Sequence, residues 1–231
     1  MKQTSMIIAN AVKEKRKCLL ETEAKTICME YSIPVTRFKL ARNEAEAVKF
    51  AEDIGFPAVL KIVSPDIIHK SEVGGVMLNL YNGENVRDAY KQIMNNVRKH
   101  KKSAKIVGVI VQEMAAPSTE VIVGAVKDPQ FGQTLMFGLG GVFVEILKDV
   151  TFRIAPITIE EACEMLKEIK AYPLLKGYRN MPQADVEAIV KILVNTSRLV
   201  TEHLEIKEID LNPIIVYEKG AKTVDARIIL E

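Results

Sequence analysis

The chain has no tryptophan, three cysteines and three histidines in 231 residues, and almost no net charge. No apolar run approaches the roughly 18 residues that a membrane-spanning helix needs, which argues against a transmembrane protein. The opening Met1-Lys2-Gln3-Thr4-Ser5 leads into a segment with charges every few residues, so the apolar core of a secretory signal is missing. Cys18, Cys28 and Cys163 are odd in number and none lies in a CxxC spacing. That argues against a disulfide framework and a cysteine-built zinc site, and fits thiols in a reducing cytoplasm. Thirty-two basic against thirty acidic side chains leave a formal charge of +2, too even to point to nucleic acid. A GxxxxGK(S/T) phosphate loop is absent, as is a GxGxxG turn after a first strand, which disfavours P-loop and dinucleotide-binding Rossmann proteins. There is no internal repeat and no low-complexity linker.

What is present is the balance of a folded globular chain, 48% hydrophobic and 27% charged. Residues 7–31 read as one charge-rich helix that Ser32-Ile33-Pro34 ends, with an extended segment beyond. Asn43 is placed to cap a second helix carrying Ala47, Val48, Ala51 and Ile54, closed by Gly55 and barred from continuing by Pro57. A strand over 58–63, another over 76–80 and a helix over 84–99 follow. Two β-branched runs, 106–114 and 120–126, are joined by Ala115-Ala116-Pro117-Ser118-Thr119. A short strand over 135–137 precedes Gly138-Leu139-Gly140-Gly141. Thr158 and Glu161 have the spacing of a capping box. A last long helix carries Val186, Ile189, Val190 and Leu193, and strands over 206–216 and 223–229 finish the chain. Strands come in clusters instead of alternating with helices, so the class is α+β.

Five features carry possible chemistry. Lys61 interrupts an otherwise apolar strand, either as an edge-strand lysine facing water or as a phosphate contact, because an unpaired buried ammonium is costly. His69 lies in a loop flanked by Pro65 and by Gly74-Gly75. It reads either as a solvated side chain or as a nitrogen nucleophile able to accept a phosphoryl group. Gln112-Glu113-Met114 ends a strand before a proline-containing connector, where backbone groups can meet a base edge, or is simply a charged strand end. Gly138-Leu139-Gly140-Gly141 permits close backbone approach to an anion, as it permits any tight turn. Asp210 and Asn212 alternate onto one strand face, and Asp225 on the next strand can lie opposite. Oxygen donors so placed suit Mg²⁺, and salt-bridged acids are the alternative.

In this order the five resemble one family. Pro57-Ala58-Val59-Leu60-Lys61-Ile62-Val63-Ser64-Pro65-Asp66-Ile67-Ile68-His69-Lys70-Ser71-Glu72-Val73-Gly74-Gly75-Val76 is similar to the signature of the ATP-grasp subunit of ADP-forming acyl-CoA synthetases. Phe137 to Glu145 and Phe152-Arg153-Ile154-Ala155-Pro156 fit the same family. Asp210-Leu211-Asn212-Pro213 with Val224-Asp225-Ala226-Arg227 resembles the metal-binding end of the nucleotide subunit of succinyl-CoA synthetase. The resemblance covers nearly the whole chain.

It implies an ATP-grasp fold with two lobes around a nucleotide cleft. A small lobe over 25–110 would carry Lys61 and the His69 loop. A larger lobe over 111–231 would carry the metal site, with the N-terminal helix packed on it. The implied role is the beta subunit of an acetate–CoA ligase that interconverts acyl-CoA, ADP and phosphate with acid, CoA and ATP. His69 would relay a phosphoryl group between a phosphohistidine on a CoA-binding alpha subunit and ADP. By the same resemblance Lys61 holds nucleotide phosphates, and Glu113 with Ala115 and Ala116 lies at the adenine end. Glu120 is a carboxylate on nucleotide or metal, Gly140 and Gly141 adjoin the nucleotide, and Arg153 neutralises phosphate charge. Asn212 and Asp225 hold Mg²⁺, with Asp210 beside them. A cytoplasmic α₂β₂ assembly is implied, active only with the alpha subunit, and without nucleic acid or membrane. A free-standing ATP-grasp carboxylate ligase and a non-catalytic nucleotide-sensing subunit are the alternatives. The acyl group would be selected by the partner.

Overall fold

The computed structural model describes residues 3–67, 69–141, 144, 146–179 and 182–231. Ile68, Val142, Phe143 and Glu145 of the quoted motifs lie outside them. The chain forms two compact units, Thr36–Ala115 and the remainder, in which residues up to Val35 join Ala116–Glu231. The sequence reading put the small-lobe limits at 25 and 110. Residues 32–35 stay with the larger unit because Pro34 accepts from the Thr223 N–H at 2.9 Å and Val35 bridges Thr223. Among the described residues, no helix is long and apolar enough to cross a membrane.

The smaller unit is built from β1 (Phe38–Ala41), α3 (Glu44–Ile54), β2 (Ala58–Val63), β3 (Val76–Leu80), α4 (Gly83–His100) and β4 (Gly108–Glu113). Its antiparallel sheet runs β1-β4-β2-β3. Asn43 caps α3 by accepting from the Glu46 N–H at 2.9 Å, and Asn82 caps α4 through the Asn85 N–H at 2.8 Å. Ala47, Ala51 and Ile54 of α3 and Val86, Ile93 and Val97 of α4 pack on Ala58, Leu60, Ile62, Val109 and Val111. Strand alternation therefore turns Val59, Lys61 and Val63 to the face away from the helices. Gly108 is obligatory for the close approach of β1, since a Cβ there would lie 2.5 Å from the carbonyl oxygen of Ala41. The sequence reading had only an extended segment where β1 forms.

The larger unit begins with two helices, α1 (Gln3–Lys13) and α2 (Glu21–Glu30), where the sequence reading had one. Lys15 takes a φ of 56° after α1. The next residues leave the helix to pair with the C-terminal strand: Leu19 donates to Ile228 at 3.0 Å and Leu230 to Lys17 at 2.7 Å. The remaining elements are β5 (Thr119–Asp128), β6 (Gly132–Leu139), β7 (Val150–Ile154), α5 (Ile159–Glu168) and α6 (Tyr172–Leu175). They are followed by α7 (Val186–Glu202), β8 (Ile206–Val216), β9 (Ala221–Thr223) and β10 (Ala226–Leu230). The antiparallel sheet runs β10-β8-β5-β6-β7, with β9 also on β8. One face is closed by the helices: Val121, Val123, Leu135, Phe137, Ile209, Leu211 and Ile228 pack with Ile27, Met165, Leu166, Ile189 and Leu193. The other face carries Glu120 and Gly124 of β5, Gly138 of β6, Glu208, Asp210 and Asn212 of β8, and Arg227 of β10. Thr158 and Glu161 form the expected capping box on α5, with bonds of 3.2 and 2.8 Å.

Asp185 caps α7 by accepting from the Ala188 N–H at 3.0 Å and also takes the Gly220 N–H at 2.7 Å. These two backbone donors hold its carboxyl below the usual carboxylate range. A lowered acid contributes stability above its unfolded pKa and loses it as pH falls through the folded one. Asp185→Ala is therefore expected to cost about 1 kcal/mol at neutral pH. The gap to the parent should shrink in urea titrations as the pH falls below the usual carboxylate range.

Candidate functional site

On the smaller unit, Lys61 sits in register with Ile110 of β4 and Val76 of β3 and is only 5% exposed. The loop that follows β2 starts and ends beside it. Ile62 donates to Gly75 at 2.8 Å, and Gly75 donates to Lys70 at 2.8 Å. Gly75 must lack a Cβ, which would lie 2.6 Å from Ile62 Cγ2. Gly74 has φ +61°, and its carbonyl accepts from Asn96 Nδ2 of α4 at 3.1 Å. At the front of the loop, Asp66 takes the Lys105 N–H at 2.6 Å on its carboxylate and Lys101 Nζ at 3.2 Å on its carbonyl. Both ends are thus fastened to α4 and the segment behind it. At the tip the His69 side chain is 68% exposed, and its nearest acid is Glu72, 3.9 Å from Nδ1. The arrangement presents an exposed imidazole on a span fastened at both ends.

At the end of β4, Glu113 is buried and its carboxylate is engaged by Arg37, through the backbone N–H at 2.8 Å and Nε at 3.1 Å. Its own N–H goes to the Arg37 carbonyl at 3.0 Å, and the next N–H, of Met114, goes to Pro57 at 3.1 Å. Arg37 was not singled out from the sequence. Glu113 therefore fixes the start of the connector. Ala115 is half-buried and Ala116 exposed, and the Ala116 carbonyl accepts from the Tyr217 hydroxyl at 3.0 Å.

On the larger unit the decisive residue is Pro213. Having no N–H, it is tolerated in a strand at an edge or a bulge. The β5–β8 register slips there: Val121 faces Ile214 but Val123 faces Leu211, so Asn212 and Pro213 together oppose Ile122. On its other side β8 changes partner, from β10 to β9, at the same place. Asn212 donates its N–H to Asp225 at 3.2 Å, and Pro213 accepts from Val224 at 2.9 Å. Asn212 and Asp225 thereby occupy one corner of the open face, with Asn212 exposed and Asp225 half-buried. Asp210 lies on the same face, ion-paired to Arg227 at 3.4 Å, and Arg227 also holds Glu208 at 2.7 Å. Burial raises the Asp210 carboxyl above its ordinary value; Arg227 opposes this, and Glu208 and Asp225 add to it.

Among the described residues there is no group of three or more His, Cys, Asp or Glu placed to hold a metal. The donor pair that remains is one amide and one carboxylate, Asn212 and Asp225. Hard oxygen donors few enough to leave positions for water and phosphate fit Mg²⁺. Asp210, taken by Arg227, does not join them in this structure. Glu120 and Gly140 adjoin: Gly140 donates to the Glu120 carbonyl at 2.8 Å, and a Cβ on Gly140 would lie 2.9 Å from Glu120 Cβ. Gly141 has φ +63°.

Arg153 departs from the sequence reading. It is in register with Leu135, whose side chain lies in the core, and so belongs to the helix-covered side of the sheet. It ion-pairs there with Glu168 of α5. It is not brought together with Glu120, Asn212 or Asp225.

The ATP-grasp domain model matches residues 10–230. The chain belongs to the ATP-grasp family. Within that family it is 55% identical over 223 residues to the acetate–CoA ligase (ADP-forming) I subunit beta of Pyrococcus furiosus, covering 96% of each chain. A solved ATP-grasp relative is the dinucleotide-forming acetyl-coenzyme A synthetase 1 of Ca. Korarchaeum cryptofilum, in complex with coenzyme A, Ca-AMPCP and HgCl⁺. It shares 53% identity at a TM-score of 0.96, covering 99% of this chain and 100% of that one. Another structure of that synthetase, with coenzyme A and Mg-AMPPCP, is described as having its phosphohistidine segment pointing towards the nucleotide binding site. It is 50% identical at a TM-score of 0.88, covering 99% of this chain and 100% of that chain.

The tethers of the His69 loop can be tested directly. Asp66→Ala combined with Asn96→Ala removes two side-chain bonds at its base, each of which contributes on the order of 1 kcal/mol. Backbone amides of residues 64–75 and of Lys105 are expected to exchange about fivefold faster or more, with the amides of the larger unit unchanged. Hydrogen exchange read by mass spectrometry checks this.

Proposed function

We propose that this chain is the nucleotide-binding beta subunit of an ADP-forming acetyl-CoA synthetase, in which His69 carries a phosphoryl group between a partner subunit and ADP. The observation that carries the reading is the loop fastened at 62/75, 66/105 and 74/96 with an exposed imidazole at its tip. The 55% identity to a beta subunit of acetate–CoA ligase over 96% of the chain supports it.

In this reading an imidazole nitrogen of His69 attacks the phosphorus of a phosphohistidine on a CoA-binding alpha subunit. One P–N bond forms as the other breaks. In the second half, a terminal phosphate oxygen of ADP attacks the same phosphorus, a P–O bond forms, and the His69 P–N bond breaks to leave free imidazole and ATP. A phosphoramidate transfers its phosphoryl group readily, so little driving force is lost at the relay. Lys61 would pair with nucleotide phosphates, since its ammonium sits on the helix-free face of the small sheet. Glu113, held by Arg37, would position the connector backbone at the adenine end, with Ala115 and Ala116. Glu120, packed on Gly140, would face the nucleotide. Asn212 and Asp225 would hold Mg²⁺, which neutralises phosphate charge as phosphoryl transfer proceeds. Arg153 has no direct part.

Solved relatives carry coenzyme A together with nucleotide, which supports assembly with a CoA-binding subunit. We propose α₂β₂ stoichiometry and activity only in that assembly. The three cysteines are free thiols, in keeping with a cytoplasmic location.

The test is labelling with γ-labelled ATP and Mg²⁺, alone and with the alpha subunit. An acid-labile, alkali-stable label is expected on the parent and none on His69→Asn. The substitution should lower ATP formation by on the order of 10³-fold or more, as loss of a covalent nucleophile does elsewhere, with nucleotide binding retained. Equal label or equal ATP formation in His69→Asn would leave a plain ATP-grasp ligase or a nucleotide sensor as the better reading.

A further inference from the structure

The open face around Asn212 holds more negative charge than two metal ligands require. Glu208 and Asp210 lie along β8, and Asp225 precedes Ala226, which is in register with Leu211. On the other flank Asp210 faces Gly124 of β5, which has no side chain to offer. Arg227, directly across from Asp210 on β10, is the only cation bonded to it among the described residues. Its Nη2 reaches Glu208 Oε1 at 2.7 Å and Asp210 Oδ2 at 3.4 Å.

Asp210 and Asn212 are two residues apart on one strand face, about 7 Å along the chain, so they are neighbours on that face. Divalent-cation affinity rises with the number of charged oxygen ligands. With Asp210 available, the corner would offer two carboxylates and an amide, enough to bind a cation before any nucleotide arrives. With Asp210 held, it offers one carboxylate and an amide, and the remaining oxygens must come from nucleotide phosphates and water.

We propose that Arg227 is a positioning residue that withholds Asp210 from the Asn212/Asp225 corner, and so makes divalent-metal binding depend on bound nucleotide. This rests on the metal assignment of the preceding subsection. The group acted upon is Asp210, and Glu208 anchors the guanidinium from its other side.

Mn²⁺ is the probe, its free-ion electron paramagnetic resonance signal reporting binding with and without ADP. The parent should bind Mn²⁺ well only with ADP. Arg227→Met should tighten nucleotide-free Mn²⁺ binding by about tenfold, the effect of one added carboxylate ligand. Arg227→Met combined with Asp210→Asn should return to the parent affinity, a reversal that general loosening of the sheet does not produce. Arg227→Lys should stay near the parent. Asp210→Asn alone should leave the Mn²⁺–ADP affinity within about threefold of the parent, since Asp210 is not a ligand in this scheme. Circular dichroism checks that each variant folds; if Arg227→Met does not, Arg227→Lys and Asp210→Asn decide. Unchanged nucleotide-free affinity in folded Arg227→Met, or a tenfold loss of Mn²⁺–ADP binding in Asp210→Asn, overturns the proposal. A parent that fails to bind Mn²⁺ even with ADP removes the metal assignment and this inference with it.

Discussion

A proline in the middle of an eleven-residue strand sets the geometry of the larger unit. Strand β8 is paired on both flanks, and Pro213 cannot donate to either ladder. The ladder on one side slips by a residue, and on the other β10 gives way to β9. Neighbouring Ile209, Leu211 and Ile214 still reach the core, so the break costs no apolar burial. What it changes is the aim of the residues at the corner. Asn212 and Asp225 are joined through the backbone at 3.2 Å, at the place where the β8 register breaks.

The same sheet separates apolar from polar residues by parity. Its helix-covered face is largely aliphatic, with Phe137 in the core and Arg153 on the edge strand β7 as departures. Its open face gathers Glu208, Asp210, Asn212, Asp225 and Arg227, a set that hydrophobic burial would never select. Asp210 is raised by its own desolvation and by two acidic neighbours, so its ionised form is held at a cost that Arg227 only partly offsets. A surface optimised for stability would dilute this charge. The small unit follows a different plan. Its exposed histidine, His69, lies on a loop whose two ends are bonded to α4 and the segment behind it, so the loop is ordered by residues other than the histidine.

How much of this was legible in the sequence depended on whether the information was local. Caps at Asn43 and Thr158 involve residues three apart, and both form as the spacing implies. The shared face of Asp210 and Asn212 follows from period two within one strand, and the placing of Asp225 from the strand that follows. Arg153 shows the limit. Its side of the sheet is set by the register of β7 on β6, where it pairs with Leu135, and no short-range pattern carries that register. The break between α1 and α2 was hidden for a similar reason. The charge-rich residues there suit an exposed helix, and only pairing of residues 17–19 with β10 shows why the helix stops. The pairings of Arg37 and Arg227 are not legible in the sequence because each is defined by a partner on another strand. For Arg227 a usable signal existed, since it stands two residues beyond Asp225 and hence on the same face.

Buried charge, taken alone, would have been a poor guide to the site. Lys25 is more deeply buried than Lys61, at 0% against 5% exposure, and both interrupt apolar surroundings. The difference lies in where each charge faces. Lys25 is matched by Glu21 one turn earlier on α2, 3.3 Å away, within a closed core formed by α1, α2 and the large sheet. No ligand can reach an ammonium enclosed in that way, and its partner comes from the same helix, so the pair explains itself structurally. Lys61 is on the central strand of a sheet whose helices cover only the other face, next to the anchoring point of a loop with an exposed histidine. Position beside that loop, not burial, is what distinguishes Lys61 from Lys25.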